Sequence, residues 1–177
     1  MQNLLILGAG QYGMVAKEIA ESMRKYDHID FLDDNNPIAV GKLGDFENLS
    51  NVYDSAVVAI GNSDFRLKLI EELRKVGYNI PCLIHERAYV SPSAKIGMGS
   101  FIEPMAVVHT EVVVETGCII SAGVIINHNS TIHKGCHINC GCVVKARAEI
   151  DEKTRTGYNE VCDTEVNEVK QPLPVAV

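Results

Sequence analysis

A period of six residues governs the second half of this chain. From residue 84 an aliphatic side chain returns at every sixth position: Ile84, Val90, Ile96, Ile102, Val108, Val114, Ile120, Ile126, Ile132, Ile138, Val144 and Ile150. Four positions after each lies a second register, Ala88, Ala94, Ser100, Ala106, Val112, Cys118, Val124, Ser130, Cys136, Cys142, Ala148 and Thr154, all small or β-branched. A helix repeats near 3.6 residues and an amphipathic strand at 2, so neither explains a period of six. Short parallel strands joined by tight corners do: three hexapeptides close one triangular coil, the pattern of a parallel β-helix. Residues 84–155 predict about four coils stacked about 4.8 Å apart. Large aliphatics are expected to fill the corners, while the small register lets the walls approach the axis. Cys118, Cys136 and Cys142 fall in that small register and read as small apolar residues.

Residues 1–81 follow another rule. Residues 4–7 form a short apolar strand, followed at once by Gly8-Ala9-Gly10-Gln11-Tyr12-Gly13 and a helical stretch over 14–25. Residues 29–32 are a second strand ending in Asp33-Asp34, and 56–60 a third, followed by Gly61-Asn62 and a helix over 63–76 that Gly77 and Pro81 terminate. Such alternation implies a small parallel sheet with helical crossovers, an α/β Rossmann-like unit. The first strand-to-helix turn is a full G-x-G-x-x-G, and Asp33 stands beyond Gly13 at the distance expected of the fingerprint's acidic residue. Glycines there let backbone approach a phosphate, the helix N-terminus favours the anion, and the acid takes a ribose hydroxyl. A whole dinucleotide site needs two such halves. Only one fits before the repeat begins, which favours a nucleotide-sugar over NAD.

Composition closes off several classes. With 46% hydrophobic residues among 177, the chain is ordinary globular sequence. A formal charge of −7 opposes nucleic acid and acidic membranes as partners. No apolar run is long enough for a membrane span, and the N-terminus lacks the basic segment of a signal peptide. The six cysteines are therefore expected as reduced thiols, and the protein as cytoplasmic.

Five of the six histidines lie in the repeat, three of them within ten residues: His128, His133 and His137. Their places in the hexapeptide point outward, so none is an inward core histidine. Imidazole is the side chain best matched to general-base chemistry near neutral pH.

The chain resembles the NeuD/PglD family of hexapeptide acetyltransferases, which acetylate sialic acid on oxygen or UDP-amino sugars on nitrogen. The likeness is carried by Gly8-Ala9-Gly10 with Gly13, Phe31-Leu32-Asp33-Asp34, Ala59-Ile60-Gly61-Asn62 with Arg66, Leu83-Ile84-His85 with Ala88-Tyr89-Val90-Ser91-Pro92, and Asn127-His128. The resemblance implies a left-handed β-helix over 82–155, a Rossmann-like nucleotide-sugar domain over 1–81 and a homotrimer with acetyl-CoA bound along the groove between two β-helices. It places the general base at His128, with Asn129 beside it where the family usually has an acid. It gives His137 a polar contact to the acetyl thioester and the Ala146 N–H the tetrahedral oxyanion. It puts the nucleotide sugar on Gly8, Gly10, Gln11, Tyr12, Asp33, Asp34, Gly61 and Asn62, with Tyr12 standing where the family usually has histidine. No metal is expected. Family members also continue for several more coils, whereas here the register is expected to stop at 150–155, leaving a shortened tail over 156–177.

Two other readings attach to the same residues. Losing coils and the acid beside His128 fits a nucleotide-sugar-binding protein without turnover. His128 and His133 also resemble the metal pair of γ-class carbonic anhydrases, with His109 or Glu115 as a third zinc ligand.

Overall fold

The computed structural model describes residues 2–163. The hexapeptide repeat winds into a three-sided prism of two-residue strands. Face one stacks Leu83–Ile84, Phe101–Ile102, Ile119–Ile120 and His137–Ile138. Face two stacks Tyr89–Val90, Val107–Val108, Ile125–Ile126, Val143–Val144 and Val161–Cys162. Face three stacks Lys95–Ile96, Val113–Val114, Thr131–Ile132 and Glu149–Ile150. Every pairing is parallel and offset by one coil, as in Ile119 beside His137 and Ile125 beside Val143. The aliphatic register supplies the second residue of each strand and faces inward, where Ile102, Val108, Ile120, Ile126, Ile132, Ile138 and Val144 are fully buried. The first residue of each strand faces outward, and these outward columns decide what each face can do.

The corners are as regular as the walls. From Gly99 to Asn159 every sixth residue has a left-handed backbone, with φ between +54° and +72°. That conformation costs a non-glycine residue roughly 1–2 kcal/mol, least for Asn. Asn129 is one such corner residue, at φ +61°. Where the small register carries Ser or Cys, its side chain satisfies a corner carbonyl. The hydroxyls of Ser100 and Ser130 donate to the carbonyls of Glu115 and Lys145, at 2.9 and 2.7 Å. The thiols of Cys82, Cys118, Cys136 and Cys142 donate to Gly97, His133, Asp151 and Gly157, at 3.0–3.1 Å. Each donor reaches a carbonyl at the same distance ahead along the chain, just short of a full coil. The cysteines expected as small apolar residues are therefore also donors, which alanine at the same positions cannot be.

The prism extends past its expected end at 155. Thr156 and Cys162 continue the inward register, at 7% and 9% exposure, and Val161–Cys162 adds a fifth strand to face two. A hydroxyl and a thiol hide these turns from an aliphatic pattern. The rest of the expected tail, 164–177, lies outside the described residues.

Ahead of the prism stand β1 (Gln2–Leu7), α1 (Gln11–Ser22), β2 (Tyr26–Leu32), a 3-10 turn (Leu43–Asp45), α2 (Phe46–Leu49), β3 (Ser55–Val58) and α3 (Ser63–Val76). The three strands form a parallel sheet in the order β2-β1-β3. Helix α1 starts three residues earlier than the sequence predicts, because Gly10 serves as its N-cap. The chain crosses from one side of β1 to the other between β2 and β3. The carboxyl ends of β1 and β3 thus flank the crevice where open α/β sheets bind ligands.

This domain is seated on the prism by apolar packing and by one cation. The outward side chains Leu83, Phe101 and Ile119 of face one are fully buried in the same cluster as Leu4, Ile6, Ala16, Ile19 and Val57. Helix α3 lies along the corner formed by Gly99, Gly117 and Gly135. A Cβ at Gly117 would meet Ile70 and Leu67 at 2.9 and 3.0 Å, and one at Gly135 would meet Leu67 at 2.9 Å. Between helix and corner sits Arg66, fully buried. Its guanidinium donates to the carbonyls of Ile60 and Gly61 in its own domain, at 2.7 and 3.2 Å, and to those of Gly117 and Gly135 in the prism, both at 2.8 Å. No carboxylate pairs with it among the described residues. Arg66→Met leaves these carbonyls dry, at a cost of about 1–3 kcal/mol each where burial persists. Urea denaturation is expected to show a loss of at least about 3 kcal/mol, whereas Arg74→Met, which breaks only an exposed pair with Glu71, leaves the midpoint nearly unchanged.

Candidate active site

The glycine-rich turn divides its labour. Gly8 has φ +106°, and a Cβ there would lie 2.9 Å from the Ala59 carbonyl oxygen. A Cβ at Gly13 would lie 2.2 Å from the Gly8 carbonyl oxygen, so both glycines are required by the packing of helix on strand. Gly10 and Gly61 are different: nothing lies within 4 Å of a Cβ built on either. Their bare backbones face open space at the ends of β1 and β3, where a ligand's phosphates can approach. A cleft of about 410 Å³ opens beside this turn, lined by Ala9, Gly10, Asp33, Asn35, Asn36 and Pro37.

Three residues expected to hold the nucleotide have structural occupations. Asp33 accepts from the N–H groups of Ala9, Asn35 and Asn36 at 2.8–3.0 Å, which tie the glycine turn to the end of β2. The Ala9 bond above all lowers its pKa. One Asp34 oxygen accepts from the Leu43 N–H at 3.0 Å. Asn62 caps α3 through the Phe65 N–H at 2.9 Å. Gln11, in the first turn of α1, is exposed.

Tyr12 points away from solvent, toward face one. Its ring meets Phe101 edge-on at 5.4 Å and lies 6.3 Å from the ring of His137. His137 is the fourth member of the outward column begun by Leu83, Phe101 and Ile119. It stands at the edge of the N-terminal domain's cover, half-buried beside Tyr12. Its Nε2 lies 3.2 Å from the Ser121 hydroxyl, and its Nδ1 is buried without a partner among the described residues. Burial, followed by the charges of Arg155 and Arg66, pushes its pKa down to about 4. At neutral pH it is an uncharged polar contact. Glu103 lies beside Tyr12 and Ser121 at 8% exposure, and burial raises its pKa.

His128 is elsewhere: exposed, on the corner between faces two and three. Its Nδ1 lies 2.9 Å from Oδ1 of Asn129. An amide oxygen only accepts, so this contact places the hydrogen on Nδ1. The left-handed corner at 129 suits Asn and Asp alike. Ala146 stacks one coil above His128 and is exposed, and its N–H has no partner among the described residues. Within one chain, then, His128 and the Ala146 N–H share one corner of the prism, one coil apart, away from the glycine-rich turn and from face one.

His133 is held by carboxylates, with Nδ1 3.3 Å from Glu115 and Nε2 3.9 Å from Glu149. No group of three or more His, Cys, Asp or Glu among the described residues is arranged to hold a metal ion. His109 does not join His128 or His133. Sequence reasoning passed over Glu103 and Ser121. Their only signal was a carboxylate and a hydroxyl one coil apart, next to buried strand ends.

Known proteins match this arrangement in both halves. Residues 3–73 match the family model described as the PglD N-terminal domain. The acetyltransferase domain of PglB from Neisseria gonorrhoeae FA1090 is 26% identical, with 92% of each chain covered and a TM-score of 0.71. The same domain in complex with acetyl coenzyme A is 28% identical over 90% of this chain and 84% of that one, with a TM-score of 0.61. PerB from Caulobacter crescentus, in complex with CoA and GDP-perosamine, shares the fold at 20% identity, with 92% and 89% covered and a TM-score of 0.73. The prism accordingly has the left-handed wind of these acetyltransferases.

The burial of His137 has a measurable consequence. Its folded pKa, about 4, lies below its ordinary 6.5, so the unfolded chain binds the extra proton first. Its contribution to stability is intact above pH 6.5 and drains away as pH falls toward 4. The His137 ring signal in NMR is expected to titrate near pH 4, and His137→Gln is expected to flatten the urea midpoint's pH dependence across that window.

Proposed function

We propose that this chain, a PglD/NeuD-like hexapeptide acetyltransferase, moves the acetyl group of acetyl-CoA onto the amine of a nucleotide-linked amino sugar. The observation that carries this reading is His128 with its Nδ1 hydrogen fixed by Asn129 and the free Ala146 N–H one coil above it. The relatives add support, since PglB's acetyltransferase domain is solved with acetyl coenzyme A and PerB with CoA and GDP-perosamine.

His128 Nε2 takes a proton from the sugar amine as its nitrogen attacks the thioester carbon. The developing oxyanion is met by the Ala146 N–H, a donor that needs no particular side chain. The tetrahedral intermediate then expels the thiolate, which takes the proton from His128, leaving an amide and free CoA. Asn129 fixes the tautomer but supplies no charge to the imidazolium. The nucleotide lies over Gly10 and Gly61, and His137, neutral and polar, contacts the acetyl group.

Because His128 and His137 occupy different parts of one prism, the complete site is built between copies. Face two offers a surface for that association. Its outward column Tyr89, Val107, Ile125, Val143 and Val161 is apolar throughout, and Tyr89, Ile125 and Val161 are 55%, 37% and 59% exposed. A homotrimer closes such faces against one another, and a stable monomer in solution would contradict this assembly.

Thiol release and mass analysis of the sugar product test the reaction directly. His128→Ala is expected to lower kcat by about 10²–10⁴-fold, the usual worth of a general base, while acetyl-CoA still binds. Undiminished turnover in the variant would remove His128 from the mechanism.

A further inference from the structure

Two glutamates occupy the same place in the hexapeptide and differ in one respect. Glu103 and Glu115 each follow an inward aliphatic residue, at corners of the prism. Each gives one carboxylate oxygen to a corner amide of the next coil: Ala122 N–H donates to Glu103 Oε2 at 3.0 Å, and Lys134 N–H to Glu115 Oε2 at 2.9 Å. The second oxygen of Glu115 meets the imidazole of His133 at 3.3 Å. Glu103 has no imidazole or cation within ion-pair distance among the described residues, although it is the more deeply buried of the two.

The groups around Glu103 are also incompletely satisfied. The Tyr12 and Ser121 hydroxyls both face its carboxylate, the Tyr12 hydroxyl without closing a well-formed hydrogen bond. That hydroxyl and the neighbouring His137 Nδ1 are the two buried side-chain polar atoms left without partners among the described residues. Buried polar groups are nearly always paired, so two orphans beside one uncompensated carboxylate point to a missing polar ligand. Tyr12 lies two residues beyond Gly10, which places the pair behind the turn on which the nucleotide is proposed to lie.

We propose that Glu103 and the Tyr12 hydroxyl recognise the protonated amine of the acceptor sugar and select it over a hydroxyl. The proposal rests on the nucleotide-sugar reading above. An ammonium brings the positive charge that Glu103 lacks and three N–H donors, enough for the carboxylate and the Tyr12 oxygen together. A hydroxyl brings one donor and no charge. The extra proton of the bound ammonium passes to solvent, and the resulting amine attacks with His128 as its base. Charge-assisted bonds of this kind are worth roughly tenfold to a hundredfold in affinity.

Calorimetry can separate the outcomes, using GDP-perosamine against GDP-rhamnose, which carry an amine and a hydroxyl at the same carbon, and a UDP-linked pair that differs in the same way. The native protein is expected to prefer the amine by roughly tenfold to a hundredfold. Glu103→Gln keeps an oxygen for the Ala122 amide and is expected to bring the preference close to one without weakening the hydroxyl sugar. Tyr12→Phe is expected to lower the preference in part. Thermal melting confirms that both variants are folded. A preference that survives Glu103→Gln, or equal affinity in the native protein, would overturn the role of Glu103. Failure of all four sugars to bind the native protein would instead overturn the nucleotide-sugar reading, and the proposal with it.

Discussion

A buried guanidinium holds the two halves of this protein in one register. Arg66 comes from the helix after β3, yet two of its carbonyl partners, Gly117 and Gly135, are corners of successive coils. The spacing between those two corners is one full turn of the prism, so a single planar fork reads two turns at once. Because its acceptors are carbonyls and not a carboxylate, the arrangement depends on direction more than on charge. Arg is suited to it and Lys is not, since five fixed donors cannot be replaced by one rotating ammonium. The glycine corner beneath α3 obeys the same constraint, as a Cβ at either position would push the helix and its arginine away.

Once the N-terminal domain is seated there, the prism's faces take different fates. Face one is covered by the sheet domain, and its outward column turns from apolar to polar where that cover ends, at His137. Face two keeps an apolar outward column that no other described element covers. The corner between faces two and three carries His128 and Ala146. The glycine-rich turn and His128 thus sit on different edges of the chain, and under the proposed function a second copy brings the two into one site.

Much of this was legible in the chain because the physics is periodic. Twelve aliphatics at intervals of six left one solution, and the observed inward residues are those positions. The G-x-G-x-x-G turn likewise located a strand-to-helix junction and Gly8, Gly10 and Gly13 within it. What the pattern could not show was the second use of a side chain. Cys118 and Cys136 satisfy corner carbonyls, Asp33 stitches its own backbone, and Asn62 caps a helix, none of which changes the residue type a motif looks for. Thr156 and Cys162 extend the prism with inward residues that an aliphatic count passes over. Glu103 was invisible for a different reason. Its burial comes from Tyr12 and the N-terminal domain, far away in sequence, and only the docked structure brings them together.

The central claim is that the glycine turn and face one act as a single acceptor site. Amide hydrogen exchange with and without a nucleotide-linked amino sugar tests this most directly, because it reports on both domains in one experiment. Exchange is predicted to slow at residues 9–13 of the turn and, in the same titration, at residues 121–123 and 137 of the prism. Protection confined to the first domain would show that the sugar does not reach the prism, and would contradict the claim.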